Sequence, residues 1–295
     1  MKKGIMLLAI LTFCLISCKN QSSNEEQTTV KFELTRQWST DPVFKTPESV
    51  FYDRANDVLY ISNVNENPSQ KDENGFISRM APNGENIEVK WIEGLSSPKG
   101  MAMIGNLLYV TDVDELVEIN VDDGKITKRW PFEGSKMLND IASDTDGSLY
   151  ISDSNGNSLF KFKDGKYEKV MTDGLNAPNG LIFTGDTLLL ASMGSEDLAA
   201  INTSTMEKEV LTKNINKGDG IALTGREGRF LVSDWLGEVY MINPDLTKTS
   251  LLDTKDEEIN AADITFIPET DILYVPTFSK NTVVAYKLEE RIGKQ

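Results

Sequence analysis

The chain has 295 residues, 39% of them hydrophobic and 26% charged, and it contains no histidine. That composition belongs to a folded globular chain, and the missing imidazole excludes Ser-His-Asp and Cys-His nucleophiles as well as histidine-based metal sites. Forty-six acidic against 30 basic residues give a formal net charge of −16, a field that repels nucleic acid and anionic lipid and leaves a small molecule as the expected partner of a monomer.

Lys2 and Lys3 precede an uncharged stretch, residues 4–17, made mostly of Leu, Ile, Met and Phe. A basic start followed by a short apolar segment predicts a signal peptide, because a spanning helix needs about 20 apolar residues. The segment ends in Leu15-Ile16-Ser17-Cys18, which resembles the bacterial lipobox and implies cleavage before Cys18 and lipidation of its thiol. The expectation is an exported bacterial lipoprotein on a cell-envelope membrane, at its periplasmic or outer-membrane face, touching lipid through the anchor only. Cys14 leaves with the signal, so no internal disulfide is expected. Lys19 to Thr29 has no apolar residue and reads as a tether. The predicted organisation is residues 1–17 signal peptide, 18–29 lipidated cysteine and tether, and 30–295 a single β domain.

From residue 30 onward the chain repeats. A run of branched and aromatic residues closed by Ser, Thr or Pro returns six times, beginning at Leu59, Leu108, Leu149, Leu189, Phe230 and Leu273, at spacings of 49, 41, 40, 41 and 43 residues. About ten residues before each run lies a short segment such as Pro47-Glu48-Ser49-Val50 or Pro178-Asn179-Gly180-Leu181, and after it come a turn and a further strand. Short strands separated by Asp-Gly and Asn-Gly turns at a period near forty predict an all-β, six-bladed propeller of four-stranded antiparallel blades. The sixth unit lacks an evident fourth strand, and Val30 to Trp38 is expected to complete it, closing the ring by pairing the two ends of the chain. The long first spacing comes from Asn63 to Gly75, a polar loop that either overhangs the channel mouth or is a solvated insertion.

In a propeller the first strand of each blade lines the axis, so residues at one repeat position form a ring. Here the ring is Glu48, Lys99, Asn139, Asn179, Asp219 and Ala262. Buried anions require compensation, and oxygen donors suit a hard cation, with calcium first and magnesium or manganese behind it. Lys99 either neutralises Glu48 or Asp219 in place of a metal, or stands aside to stabilise an oxyanion. Asp112, Asp153 and Asp234 recur just after the second strands and are expected to accept backbone N–H groups of the following turn. Asp144-Thr145-Asp146-Gly147 lacks the spacing of a calcium loop and reads as a hairpin turn. Trp91, Trp130 and Trp235 are expected between blades, with Trp235 reaching the channel mouth.

Pro47-Glu48-Ser49-Val50, Asn139-Asp140, Pro178-Asn179-Gly180-Leu181 and Asp219-Gly220 together resemble the regucalcin and gluconolactonase (senescence marker protein-like) family over most of the folded chain. The resemblance implies Glu48, Asn179 and Asp219 as ligands of a divalent cation, with Asn139 contacting substrate or metal. Where sugar-lactone hydrolases of the family often carry Arg, two positions before Asn139, this chain has Met137. The expected activity is cation-dependent hydrolysis of lactones or related esters, with Asp219 as general base, Asn139 and Lys99 on the substrate, and Asp140 supporting the Asn139 turn. The alternative is a non-catalytic, lipid-anchored propeller that binds a small ligand or a protein.

Overall fold

Each repeated apolar run forms the second strand of a four-stranded antiparallel sheet in the computed structural model, which describes residues 28–294. The predicted signal peptide, Cys18 and residues 19–27 lie outside the described residues. Six sheets follow one another as blades. In the first five the strands run in chain order outward from the axis, the innermost being Pro47–Asp53, Pro98–Ile104, Leu138–Ser143, Pro178–Thr184 and Gly218–Leu223. Blade six consists of Thr265–Ile267, Ile272–Pro276 and Val283–Lys294, with Thr28–Ser39 as its outermost strand. The ring is therefore closed by the two ends of the chain, as the missing strand of the sixth repeat predicts. Residues 32–290 make up the propeller; residues 28–31 and 291–294, all in strand conformation, form a second small unit. Among the described residues no helix is long and apolar enough to cross a membrane.

The strands are apolar on the sides where blades meet. Second strands such as Leu149–Asp153 are buried throughout, whereas outermost strands such as Lys125–Pro131 are largely exposed. Each of the six apolar clusters spans one seam between adjacent blades. Tyr60, Ile77 and Ile92 of blade one meet Met101, Leu108 and Val110 of blade two, and Leu59, Ile61 and Met80 meet Ile267, Tyr274 and Val283 across the closing seam. Trp130 packs edge-on against Phe162 of blade three at 4.9 Å, and Trp91, stacked on Tyr60 of its own blade at 4.8 Å, packs against the cluster shared with blade two, which is the blade packing expected of them.

The inner strands carry a recurring irregularity. Their pairing with the second strand shifts register between Pro47 and Val50, Pro98 and Met101, Leu138 and Ile141, Pro178 and Leu181, and Gly218 and Ile221. Two residues in each of these strands thus bulge from the ladder, and a bulge leaves a backbone N–H without its ladder partner. The hydroxyl that closes the second strand accepts it in three blades: Ser49 N–H bonds Ser62 Oγ at 2.9 Å, Asp140 N–H bonds Ser152 Oγ at 2.9 Å, and Gly220 N–H bonds Ser233 Oγ at 2.8 Å. Some of these hydroxyls also reach the next blade. Ser233 Oγ donates to the Ala262 carbonyl at 2.7 Å, and Thr111 Oγ1 donates to the Asn139 carbonyl. Gly180 is required because a Cβ there would collide with the backbone carbonyl of Asp219 in the adjoining blade.

Replacing Ser233 with alanine strands a buried N–H and a buried carbonyl and is expected to destabilise the fold by about 1–3 kcal/mol. Ser192 occupies the same repeat position, but its buried hydroxyl has no partner among the described residues, so Ser192→Ala is expected to be nearly neutral. Urea unfolding of the two variants measures the difference.

Candidate functional site

The bulged pairs are Glu48-Ser49, Lys99-Gly100, Asn139-Asp140, Asn179-Gly180 and Asp219-Gly220, so the expected ring sits on the bulges, at the start of each inner strand. All six ring residues are buried, Asp219 and Asn179 to 1% exposure and Glu48 to 7%. Asn179 Nδ2 donates to Asp219 Oδ1 at 3.0 Å across the seam between blades four and five. Glu48 acts electrostatically on Asp219, and its Oε2 is buried with no hydrogen-bond partner among the described residues. Asn139 turns toward the next seam, where its Nδ2 meets Ser154 Oγ at 3.1 Å while that hydroxyl donates to the Pro178 carbonyl at 2.6 Å. Lys99 Nζ donates to the carbonyl and hydroxyl of Ser97 at 2.8 and 3.0 Å. Its ammonium is thus held within its own blade, and Glu48 and Asp112 act on it through their charge alone. Ala262 contributes a backbone N–H to the Pro276 carbonyl at 3.1 Å.

Two further carboxylates belong to this centre. Asp140 and Asp263 stand one residue beyond the ring, in the row Ser49, Gly100, Asp140, Gly180, Gly220, Asp263. Asp140 is a latch between blades: its Oδ2 accepts the N–H of Leu181 at 2.6 Å and its Oδ1 that of Ile141 at 2.7 Å. Asp263 Oδ2 accepts the Ser49 hydroxyl, and the backbones of Ser49 and Asp263 form a parallel bridge. The row reads plainly once the repeat is aligned one position later, because glycines fill it wherever the next blade approaches closely.

Four carboxyls against one ammonium, all withdrawn from water, shift one another's protonation. Burial, and then the Asp263 charge, push Glu48 up to about 8, with Lys99 opposing. Burial raises Asp263 to about 7, against the Ser49 hydrogen bond. Asp219 is raised well above the usual carboxylate range by burial and then by Glu48, Asp263 and Asp140, and Asp140 by burial and then by Asp263. Burial lowers Lys99 to about 8 against the pull of Glu48 and Asp112. Among the described residues no three Asp, Glu or Cys side chains stand as a metal-binding cluster; the expected ligand set has only two carboxylates, with Asn179 as its third member.

Of the aspartates after the second strands, Asp112 has a different role from the one expected, and Asp153 adds a second role to it. Asp112 accepts the N–H groups of Ser96 and Ser97 at 2.8 and 2.5 Å, and Asp153 that of Met137 at 2.8 Å. They fix the segment that precedes the inner strand, although Asp153 also takes Gly156 N–H at 2.9 Å. Asp234 does accept from its own turn, through Leu236 N–H at 2.9 Å. Asp144 Oδ1 accepts the N–H groups of Asp146 and Ser148 at 2.9 and 2.8 Å, the hairpin turn expected. The 63–75 loop crosses blade two, where Lys71 pairs with Asp114, and reaches blade three, where Ser69 Oγ lies 3.7 Å from Met137 Sδ. It overhangs the end of the channel at which Asn139 sits. Trp235 packs edge-on against Phe278 at 5.7 Å, beyond the end of its strand on the same side.

Neither a family model nor a curated protein matches the sequence. Solved structures do resemble it. A gluconolactonase from Xanthomonas campestris has a TM-score of 0.66 at 15% identity, covering 86% of this chain and 87% of that one. Virginiamycin B lyase from Staphylococcus aureus, a catalytically inactive variant with alanine in place of a histidine and with quinupristin, gives 0.62 at 13% identity over 88% of this chain and 100% of that one. An auxiliary nutrient binding protein from Bacteroides thetaiotaomicron gives 0.66 at 10% identity over 90% and 77%. The likeness is one of fold. This chain is a six-bladed propeller whose structural neighbours include gluconolactonase and streptogramin B lyase propellers.

The raised carboxyls link stability to pH. Below their unfolded values near 4 both states are protonated; above that the folded chain binds more protons, so stability falls as pH rises through about 7 to 8. In chelator-treated protein the urea midpoint is expected to fall between pH 5 and pH 8, and Glu48→Gln to flatten that slope.

Proposed function

We propose that this protein is a divalent-cation-dependent hydrolase of lactones or related esters, with calcium as the first choice of ion and magnesium or manganese behind it. The observation that carries this reading is the Glu48 oxygen buried without a partner beside the Asn179–Asp219 pair. A buried carboxylate oxygen with no donor is costly, and Lys99 makes its hydrogen bonds among the described residues to Ser97, not to Glu48. Glu48, Asp219 and the amide oxygen of Asn179, whose nitrogen is committed to Asp219, form an oxygen-only donor set that fits a hard cation. Such an ion, when bound, supplies Lewis-acid polarisation of an ester carbonyl and of water.

The remaining roles belong to the chain. Asn179 fixes Asp219 through Oδ1, leaving Oδ2 to take the proton of an attacking water. Burial makes Asp219 a stronger base than an exposed aspartate. Two of the three ammonium donors of Lys99 are held by Ser97, and the third serves the developing oxyanion. Asn139 keeps one amide N–H beyond its bond to Ser154 and orients the substrate. The gluconolactonase fold neighbour supports this class of chemistry. The lyase neighbour does not transfer: that enzyme is inactive when a histidine becomes alanine, and this chain has no histidine.

One observation favours a second reading. Asp219 and Asn179 are 99% withdrawn from solvent, a depth that suits a permanently held ion in a non-catalytic binding propeller; the Bacteroides neighbour is an auxiliary nutrient binding protein. In either case the proposal includes export and anchoring through Cys18, tested by metabolic palmitate labelling that Cys18→Ala should abolish.

Lactone hydrolysis is expected to stop on EDTA treatment and return with calcium. Asp219→Asn should lower kcat by about 10²–10⁴-fold with the fold intact by circular dichroism. Rates indifferent to both EDTA and calcium remove the metal role; absence of turnover while calcium still raises Tm selects the binding propeller.

A further inference from the structure

The channel holds a second feature that the hydrolase reading leaves unused. Beyond the ring, toward the far ends of the inner strands, lies a cavity of about 250 Å³. None of Glu48, Lys99, Asn139, Asn179 or Asp219 lines it. Burial along its wall falls from ring to rim. Met101, Ile141 and Leu181 are buried, while Phe51, Met103, Ser143 and Phe183 are half-exposed. The cavity therefore opens on the face opposite the ring, and the ring forms its floor.

Its wall combines apolar side chains with the hydroxyls of Ser49, Ser143 and Thr265 and two carboxylates, and it has no basic side chain. Both oxygens of Asp140 are taken by backbone N–H groups. Asp263 differs: Ser49 holds Oδ2, no hydrogen bond among the described residues reaches Oδ1, and the half-buried carboxylate lines the cavity. We propose that this lower half of the channel binds a small organic ammonium, its charge on Asp263 and its hydrocarbon body against Phe51, Met101, Met103 and Phe183. An anion is repelled by the carboxylates on the wall and floor. A bare metal ion meets one free carboxylate oxygen where calcium takes six to eight oxygen ligands. A neutral ligand leaves the Asp263 charge uncompensated. The volume equals that of roughly eight liquid waters, which suits a molecule on the order of eight to ten non-hydrogen atoms.

The test is isothermal titration of the purified protein with phenethylammonium and with 2-phenylethanol, its uncharged counterpart, in EDTA and again in calcium. Neither lactone turnover nor cation binding is required, so the result stands apart from the hydrolase reading. The ammonium is expected to bind at least about tenfold more tightly than the alcohol, Asp263→Asn to remove that preference, and Met103→Trp, which fills the rim, to abolish binding of both. Equal affinity for the two compounds, no binding of either, or an unaltered preference in Asp263→Asn overturns the proposal. Should Asp263→Asn fail to fold, Met103→Trp decides, and undiminished ammonium binding there overturns it equally.

Discussion

The axis of this molecule depends on one hydrogen bond that recurs in three of its blades, from the N–H released by a bulge in the inner strand to the hydroxyl that ends the second strand. Without the bulge, side chains at the start of the inner strand would alternate as in any ladder. With it, two consecutive residues leave the pairing, and a polar group such as Glu48 or Asp219 is aimed at the axis. Ser62, Ser152 and Ser233 make that geometry tolerable in a dry interior by satisfying the freed donor. At these three blades the Ser that closes the repeat is thus a structural requirement, and the functional ring is its by-product.

That arrangement concentrates negative charge. Glu48, Asp140, Asp219 and Asp263 come together from four blades, with Lys99 as their one basic neighbour. The fold accommodates them in different ways. Asp140 is stabilised locally by two backbone dipoles, Asp219 by the Asn179 amide and Asp263 by a hydroxyl, while one oxygen of Glu48 has no partner among the described residues. The unevenness separates groups that hold blades together from groups free to meet a ligand.

Blade number, strand order and the position of the ring were all legible in the sequence, because a period near forty and a strand-length apolar run are stated again in each unit. The identity of the ring residues followed from spacing alone. Their directions did not. Asn139 and Lys99 share the repeat position of Asn179, yet Ser154 draws Asn139 to a seam that only the folded chain brings near, and Ser97, two residues upstream, holds the Lys99 ammonium within its own blade. Asp263 escaped notice because blade six departs from the repeat: its inner strand is cut to Thr265–Ile267, and Ala261-Ala262-Asp263 lacks the turn-like signature of its counterparts. Asp112 and Asp153 were legible as N–H acceptors, but a donor upstream or downstream looks alike in sequence: Asp112 takes upstream donors, and Asp153 takes one on each side.

The outer edge of blade six belongs to residues made first, and the rest of that blade to residues made last. A nascent chain emerging from a ribosome or a translocation pore can assemble five seams in order, yet the sixth, between Tyr274 and Leu59, waits for the C-terminal segment. Until then the amino-terminal strand has no neighbour to pair with, so a chain truncated before Val283 stays an open arc.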